Sequence, residues 1–435
     1  MNNNKKNTQV LVTLIICIVS IITLSISLLV AFFIKPGSND GGINNGKTTT
    51  VDTTVTETTT EEITTEEITY EVSLMMVGDI LAHPAILRTA TQSDGTYNYD
   101  YMFKDILDYV DAADISVINL ESMICGEKYG YDYPGYPVFN CPDALGHSIA
   151  SAGFNVVLAA HNHSFDHQLD GLLYCYNFWT ENYPDITLLG IHEDTATEHD
   201  ITLVEVNNIT FAMLNYTYSH NWATISTAVI GHLNLLCAYD PDTYYIDYNT
   251  IEPSVLEDIK VADKLADVVI VFPHWGTEYT TTPTAQEVAF AKLMTEAGAD
   301  LILGGHPHVI QPIEWIEAEN GNKCLCYYSL GNYVSTQATS ITQLEGMAIV
   351  KFTKTGDEVV VGADGTGVIP IVNHWEDDSA GNSWIKGIYK LSDYTEELAA
   401  KHGLHNHYPN DSSANITKAY LDQVANDVFG DWILE

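Results

Sequence analysis

Leu301-Ile302-Leu303-Gly304-Gly305-His306-Pro307-His308 is an apolar run that stops at two glycines and then presents two histidines one residue apart. Three consecutive aliphatic residues bounded by turn formers read as a short buried strand. The glycines let the backbone bend and approach a ligand closely. Imidazoles at this spacing can both reach one metal ion. An isolated His-x-His is as readily a pair of solvated loop side chains, so the reading depends on the rest of the chain.

Four other apolar runs end in the same way. Val72 to Val77 stops at Gly78-Asp79, with His83 four residues on, and Ile115 to Leu120 leads into Glu121. Asn155 to Ala160 leads into His161-Asn162-His163, with Asp166 and His167 behind them, and Val268 to Phe272 leads into Pro273-His274. Amphipathic helices lie between the runs. Phe103, Ile106, Leu107 and Val110 fall at i, i+3, i+4 and i+7, and Phe290, Leu293, Met294 and Ala297 share one face of a helix with Pro283 in its first turn and Gly298 at its end. Alternating buried strands and helices predict an α/β domain with its functional side chains at the carboxyl edges of the sheets. Asp79 alone can be a turn residue, and Asn162 or Asp166 a helix cap. A carboxylate directly after a buried strand, as at Glu121, needs a partner, and a cation supplies one.

Other stretches carry less. Ile201 to Tyr216 reads as a hairpin turning at Asn207-Asn208, and Tyr218 to Pro253 has no periodicity and suits a lid or an insertion. Leu325 to Leu330 is a further strand, ending at Gly331-Asn332. His402, His405 and His407 read as a solvated turn rather than a second metal site, and Ala414 to Phe429 as a helix packing on the domain. The cysteines show no C-x-x-C spacing and read mostly as core packing.

Residues 10–34 are uncharged and exceed the roughly 20 apolar residues that cross a bilayer. With Lys5 and Lys6 before them, they predict an uncleaved single-pass anchor in the cell membrane, N-terminus inside and main domain extracellular. Residues 35–71 are rich in Thr and Glu, with Thr59-Thr60-Glu61-Glu62-Ile63 repeated at once, and predict a disordered tether. The expected division is 1–9 cytoplasmic, 10–34 anchor, 35–71 linker, 72–375 main domain, and 376–435 a C-terminal segment packing on it. A formal net charge of -41 excludes nucleic acid as a partner, because neutralising phosphates takes clustered Lys and Arg. A polyanionic substrate would have to be met through bound metal ions.

Gly78-Asp79-Ile80, Asn119-Leu120-Glu121, Asn162-His163 with Asp166, His274-Trp275-Gly276-Thr277-Glu278, Gly304 to Pro312 with Glu314, and Leu330-Gly331-Asn332 occur in this order between about Val72 and Phe352. The ordered set resembles the CapA family of poly-γ-glutamate capsule biosynthesis proteins, which is similar in turn to calcineurin-like metallophosphoesterases. The resemblance implies a metallophosphoesterase-like sandwich of two facing mixed sheets flanked by helices. It implies one or two divalent ions, for which mixed carboxylate and imidazole ligands suit manganese, iron or zinc. Glu121 would bridge two cations, Asp79 and His308 would serve one, and Asn162, His274 and His306 the other. His163, backed by Asp166, would be the general acid, and a metal-activated water the nucleophile. Two positions depart from the pattern. Leu81 stands where phosphoesterases carry a His, which leaves one metal a ligand short unless His83 or water substitutes, and His161 stands where the family more often has Asn.

Two readings of function follow. One is a metal-dependent hydrolase or transferase acting at a phosphoester or glutamyl amide of an anionic extracellular polymer, in capsule synthesis or export alongside membrane capsule-synthesis subunits. The other is a non-catalytic assembly or export component that binds the polyanion; a generic metallophosphoesterase unrelated to capsule is the remaining alternative.

Overall fold

The computed structural model describes residues 68–126, 132–193, 201–222, 224–408 and 411–434. The chain divides into two units, Met1–Thr65 and Glu66–Glu435, and every described residue belongs to the second.

In chain order the strands are β1 (Thr69–Ile80), β2 (Ile115–Asn119), β3 (Val156–Leu158), β4 (Thr187–Leu189), β5 (Thr202–Val206) and β6 (Ile209–Thr217). β7 (Cys237–Tyr239), β8 (Ile246–Ile251), β9 (Val268–His274), β10 (Leu301–Leu303), β11 (Ile313–Glu317) and β12 (Lys323–Tyr327) follow. The last are β13 (Asn332–Val334), β14 (Leu344–Thr355), β15 (Glu358–Val361), β16 (Gly367–Asp377) and β17 (Ser383–Lys390). The main helices are α1 (Pro84–Ala90), α2 (Leu107–Ala112), α3 (Asp143–Ala152), α4 (Gln168–Asn182), α5 (Pro253–Ala262), α6 (Ala285–Ala297) and α7 (Lys418–Phe429).

One sheet runs β17-β16-β14-β1-β2-β3-β4, with β13 beside β1 and β15 beside β14. The other runs β11-β12-β10-β9-β6-β5. Each is mixed. β1 to β4 are parallel, as are β6, β9, β10 and β12, whereas β14, β16 and β17 pair antiparallel. Side chains alternate along β9 between two hydrophobic clusters. Val268, Ile270 and Phe272 join the cluster holding β1 and β14, while Val269 and Val271 meet α5 and α6 on the other side. The sheets therefore face one another across a shared core, as the rings of Phe211 (β6) and Phe352 (β14), 5.1 Å apart, show. Fully burying each such side chain contributes about 1.5–3 kcal/mol.

The hairpin turns at Asn207 and Asn208, whose φ values of 47° and 61° suit asparagine. Several boundaries move. α6 begins after Pro283, with Thr284 as its cap: the Thr284 hydroxyl accepts from the Glu287 N–H while the Glu287 carboxylate accepts from the Thr284 N–H. Phe103 and Ile106 are buried but precede α2, whose regular turns start only at Leu107. The division expected after residue 375 falls inside β16, and β17 forms an edge of the first sheet. α7 buries Leu421, Ala425 and Phe429. The six cysteines from Cys125 on are free and buried.

Two expectations are corrected. The single-pass membrane location is not upheld, because among the described residues no helix is long and apolar enough to cross a membrane. The expected anchor, 10–34, lies outside the described residues, as does the tether up to residue 67; its last residues belong instead to β1. The turn containing His402 is solvated only in part, with His405 half-buried and His407 exposed. His402 is buried, with Nε2 3.2 Å from the Asn373 carbonyl, and His407 pairs with Asp377 at 3.0 Å.

Candidate metal centre

The carboxyl ends of β1, β2, β3, β9 and β10 meet at one place between the sheets. Parallel strands bring this about, since their termini and following loops fall on the same edge. Asp79 comes from β1, Asn119 and Glu121 from β2 and its exit, Asn162 and His163 from the loop after β3, His274 from β9, and His306 and His308 from the turn after β10.

The turn that opens after β10 is tight. A Cβ on Gly305 would lie 2.7 Å from Asp79 Oδ1 and 3.1 Å from Asn119 Nδ2, and one on Gly304 would strike the Tyr328 carbonyl. Only glycine lets this backbone pass so close to the acid. His306 and His308 take φ values of 98° and 58°, a conformation that non-glycine residues hold only when their surroundings compel it. Here the His306 N–H donates to Asp79 Oδ2 at 3.0 Å, and the ring of Tyr218 lies 4.6 Å from the His306 ring.

Asp79 and Glu121 are both fully buried. Asp79 accepts hydrogen bonds from Asn119 Nδ2 (2.6 Å) and from the His306 backbone. Burial pushes its carboxyl up, but the bond with His308 and the neighbouring His274 and His308 hold it below the usual range. Glu121 accepts no hydrogen bond at either oxygen, and burial, followed by the charge of Asp79, lifts its carboxyl well above the usual range. His274 Nε2 stands 3.5 Å from Glu121 Oε1, and His308 Nδ1 stands 3.5 Å from Asp79 Oδ2 and 3.7 Å from Glu121 Oε2. Burial drives His274 down to about 3 and His306 well below its ordinary value, so both imidazoles keep their lone pairs at neutral pH.

Two groups bring ligand atoms within 4.8 Å of one another: Glu121 with His306 and His308, and Asp79 with Glu121 and His274. Glu121 belongs to both. Its two oxygens and His306 Nδ1 are buried atoms without a hydrogen-bond partner. A buried carboxylate without donors is costly, and a divalent cation is the partner this donor set fits. Asn162 stands beside the second group, its Oδ1 2.9 Å from His274 Nε2.

His163 lies next to these ligands and bonds elsewhere. Its Nδ1 is 2.7 Å from Asp166 Oδ2, which also accepts the Phe139 N–H at 2.7 Å, and the Phe139 ring meets it edge-on at 4.7 Å. A carboxylate held from behind in this way fixes the proton of His163 on Nδ1 and leaves Nε2 for chemistry.

The site brings together Asp79, Glu121, Asn162, His163, Asp166, His274, His306 and His308. It does not enlist His83 or His161 in either group of ligands. His83 Nδ1 accepts the Thr336 N–H at 3.2 Å, so the gap left by Leu81 is not filled by that atom. His161 is buried, its ring 6.1 Å from that of His274. Asn119, part of the ordered motif set but given no role there, joins the site, as do Tyr218 and Asn221, which the sequence did not single out. Asn119 was legible as the polar end of an apolar strand, whereas Tyr218 and Asn221 fall in a stretch with no periodicity to flag them.

The model of the family described as bacterial capsule synthesis protein PGA_cap matches residues 73–337. The capsule biosynthesis protein CapA of Bacillus anthracis is 28% identical over 285 residues, covering 65% of this chain and 64% of that protein. The PGA biosynthesis protein CapA of Bacillus subtilis is 31% identical over 203 residues, 47% of this chain and 48% of that one. The match thus spans less than two thirds of either relative. Among solved structures, Haemophilus influenzae NAD nucleotidase aligns with 83% of this chain and 67% of its own at 13% identity and a TM-score of 0.41. A hypothetical protein of Thermus thermophilus aligns with 72% of this chain and 99% of its own at 13% identity and 0.37. Likenesses this faint carry no argument.

Proposed function

The chain belongs to the bacterial capsule synthesis protein family PGA_cap, and from that premise we propose that it serves the making or export of an anionic capsule polymer of the poly-γ-glutamate type through a metal-dependent, hydrolase-like site. The observation that carries the metal is Glu121, whose buried oxygens have no hydrogen-bond donor while the imidazoles of His274 and His308 stand within 3.7 Å. Glu121, Asp79, His274, His306 and His308 would hold one or two divalent ions of manganese, iron or zinc, with Asn162 adding an amide oxygen. Bound there, such an ion supplies Lewis acidity and lowers the pKa of water.

The chain's own residues supply the rest. Asp166 keeps the Nδ1 proton of His163 in place, so that Nε2 can carry a second proton to a departing oxygen or nitrogen. The backbone of Phe139 holds Asp166 still, and the Phe139 ring fixes the plane of the imidazole. Among the described residues, every ion pair within the site joins a carboxylate to an imidazole, so a polyanion would find its positive charge only in the bound ions.

The test is elemental analysis of the purified chain, followed by turnover of bis(4-nitrophenyl) phosphate and of poly-γ-glutamate before and after chelation. Bound metal and chelator-sensitive turnover are expected. His163→Ala should keep the metal and lower kcat by about 10²–10⁴. Metal without chelator-sensitive turnover on either probe would transfer the site to polymer binding.

A further inference from the structure

The segment that follows β6, Tyr218 to Trp222, is built against the candidate centre by both backbone and side chain. The Tyr218 N–H donates to the His274 carbonyl at 2.8 Å, and the Asn221 N–H donates to the Asn162 carbonyl at 3.1 Å. The Asn221 side chain then reaches two site residues at once. Its Oδ1 accepts from Asn162 Nδ2 at 3.1 Å, while its Nδ2 lies 3.1 Å from His163 Nδ1 and 3.4 Å from Nε2.

Hydrogen-bond polarity decides how these amides are turned. Asp166, a carboxylate, can only accept, so His163 Nδ1 is the donor to it. Asn221 presents Nδ2 to the His163 ring, 3.1 Å from Nδ1 and 3.4 Å from Nε2. Asn221 therefore turns its carbonyl to Asn162, and Asn162 must answer with its own NH2. The Asn162 oxygen is left facing His274 Nε2, 2.9 Å away.

We infer that Asn221 is a positioning residue for the centre: its carbonyl holds Asn162 with the amide oxygen, rather than the NH2, toward the ions. The inference rests on the metal reading given above. Without the Asn221 carbonyl, Asn162 loses the acceptor that distinguishes its two ends. An NH2 group has no lone pair for a cation, so the flipped amide is no ligand.

The test titrates Mn2+ into the full chain by calorimetry with chelator competition, for wild type, Asn221→Ala and Asn221→Asp. Partners that orient a ligand typically affect metal affinity by about 10- to 100-fold. Asn221→Ala should lose that much, and Asn221→Asp, whose carboxylate still accepts from Asn162, should stay near wild type. A general disturbance of the loop would weaken both variants alike, and that result overturns the inference. So does wild-type affinity in Asn221→Ala. If Asn221→Ala lowers the melting temperature, Asn221→Asp decides: retained affinity upholds the role and lost affinity removes it. A wild-type chain that binds no Mn2+, Zn2+ or Fe2+ would sink the metal reading itself, and this inference with it.

Discussion

Asp79 and Glu121 are neighbours with equal burial and opposite fates. Asp79 is surrounded by donors that hold its carboxyl low; Glu121 has none, and burial lifts its carboxyl well above the usual range. A cation competes with a proton for the Glu121 carboxylate, so metal loading should release protons and affinity should rise with pH. Calorimetry in two buffers of different protonation enthalpy measures the release; its absence would mean that Glu121 is already ionised or not a ligand. His83 gives a second prediction. Its Nδ1 is occupied by the Thr336 N–H, so His83→Ala should bind the same number of Mn2+ ions as wild type, by elemental analysis. One ion fewer would return it to the ligand set. The sequence displayed the acids and histidines because each interrupts an apolar run. It could not display which nitrogen of His83 is engaged, since that depends on a backbone group 253 residues away.

At the scale of elements, the glycine turn after β10 and the strand β14 each carry a prediction. Gly305→Ala would push a methyl group onto the Asp79 carboxylate. Overpacking of this kind costs about 1–3 kcal/mol, and metal affinity should fall with stability because Asp79 is displaced; urea unfolding and Mn2+ titration read the two together. On β14, Glu345 is fully buried, and burial lifts its carboxyl well above the usual value despite the nearby Asn373 amide. The sign is fixed by linkage. Below the unfolded pKa the group is protonated in both states and folding meets no penalty. As pH rises toward the folded pKa, stability falls by up to about 1.4 kcal/mol per pH unit. Glu345→Gln should therefore gain on wild type between about pH 5 and 8 in urea midpoints, and a constant difference across that window would refute it. The same buried polarity hid part of the fold. β16 contains Pro370, Asn373 and His374, residues that argue against an interior strand, yet Asn373 and His374 find partners in Gln343, Ser335 and Tyr394. The parallel strands, purely apolar up to their ends, were legible for the opposite reason.

At the scale of the molecule, charge constrains any encounter with the polymer. The chain carries -41 formally, with 17 Lys and Arg against 58 Asp and Glu. A basic protein binding a polyanion loses affinity as salt rises, because the attraction is screened and released counterions gain less. Here the general field repels, and on the reading proposed above attraction would be confined to ions bound between the sheets. Screening acts over a Debye length of about 10 Å at 0.1 M salt and 3 Å at 1 M. Added salt should therefore remove long-range repulsion before it weakens contacts made directly at a buried ion. Poly-γ-glutamate should associate more tightly as ionic strength rises from about 0.01 to 0.1 M, and chelation should abolish the association at every salt concentration. Fluorescence anisotropy of a labelled oligomer measures both. Binding that weakens steadily with salt and survives chelation would place the polymer on a basic patch instead. It would also separate the family's polymer from the centre built by Glu121 and its histidines.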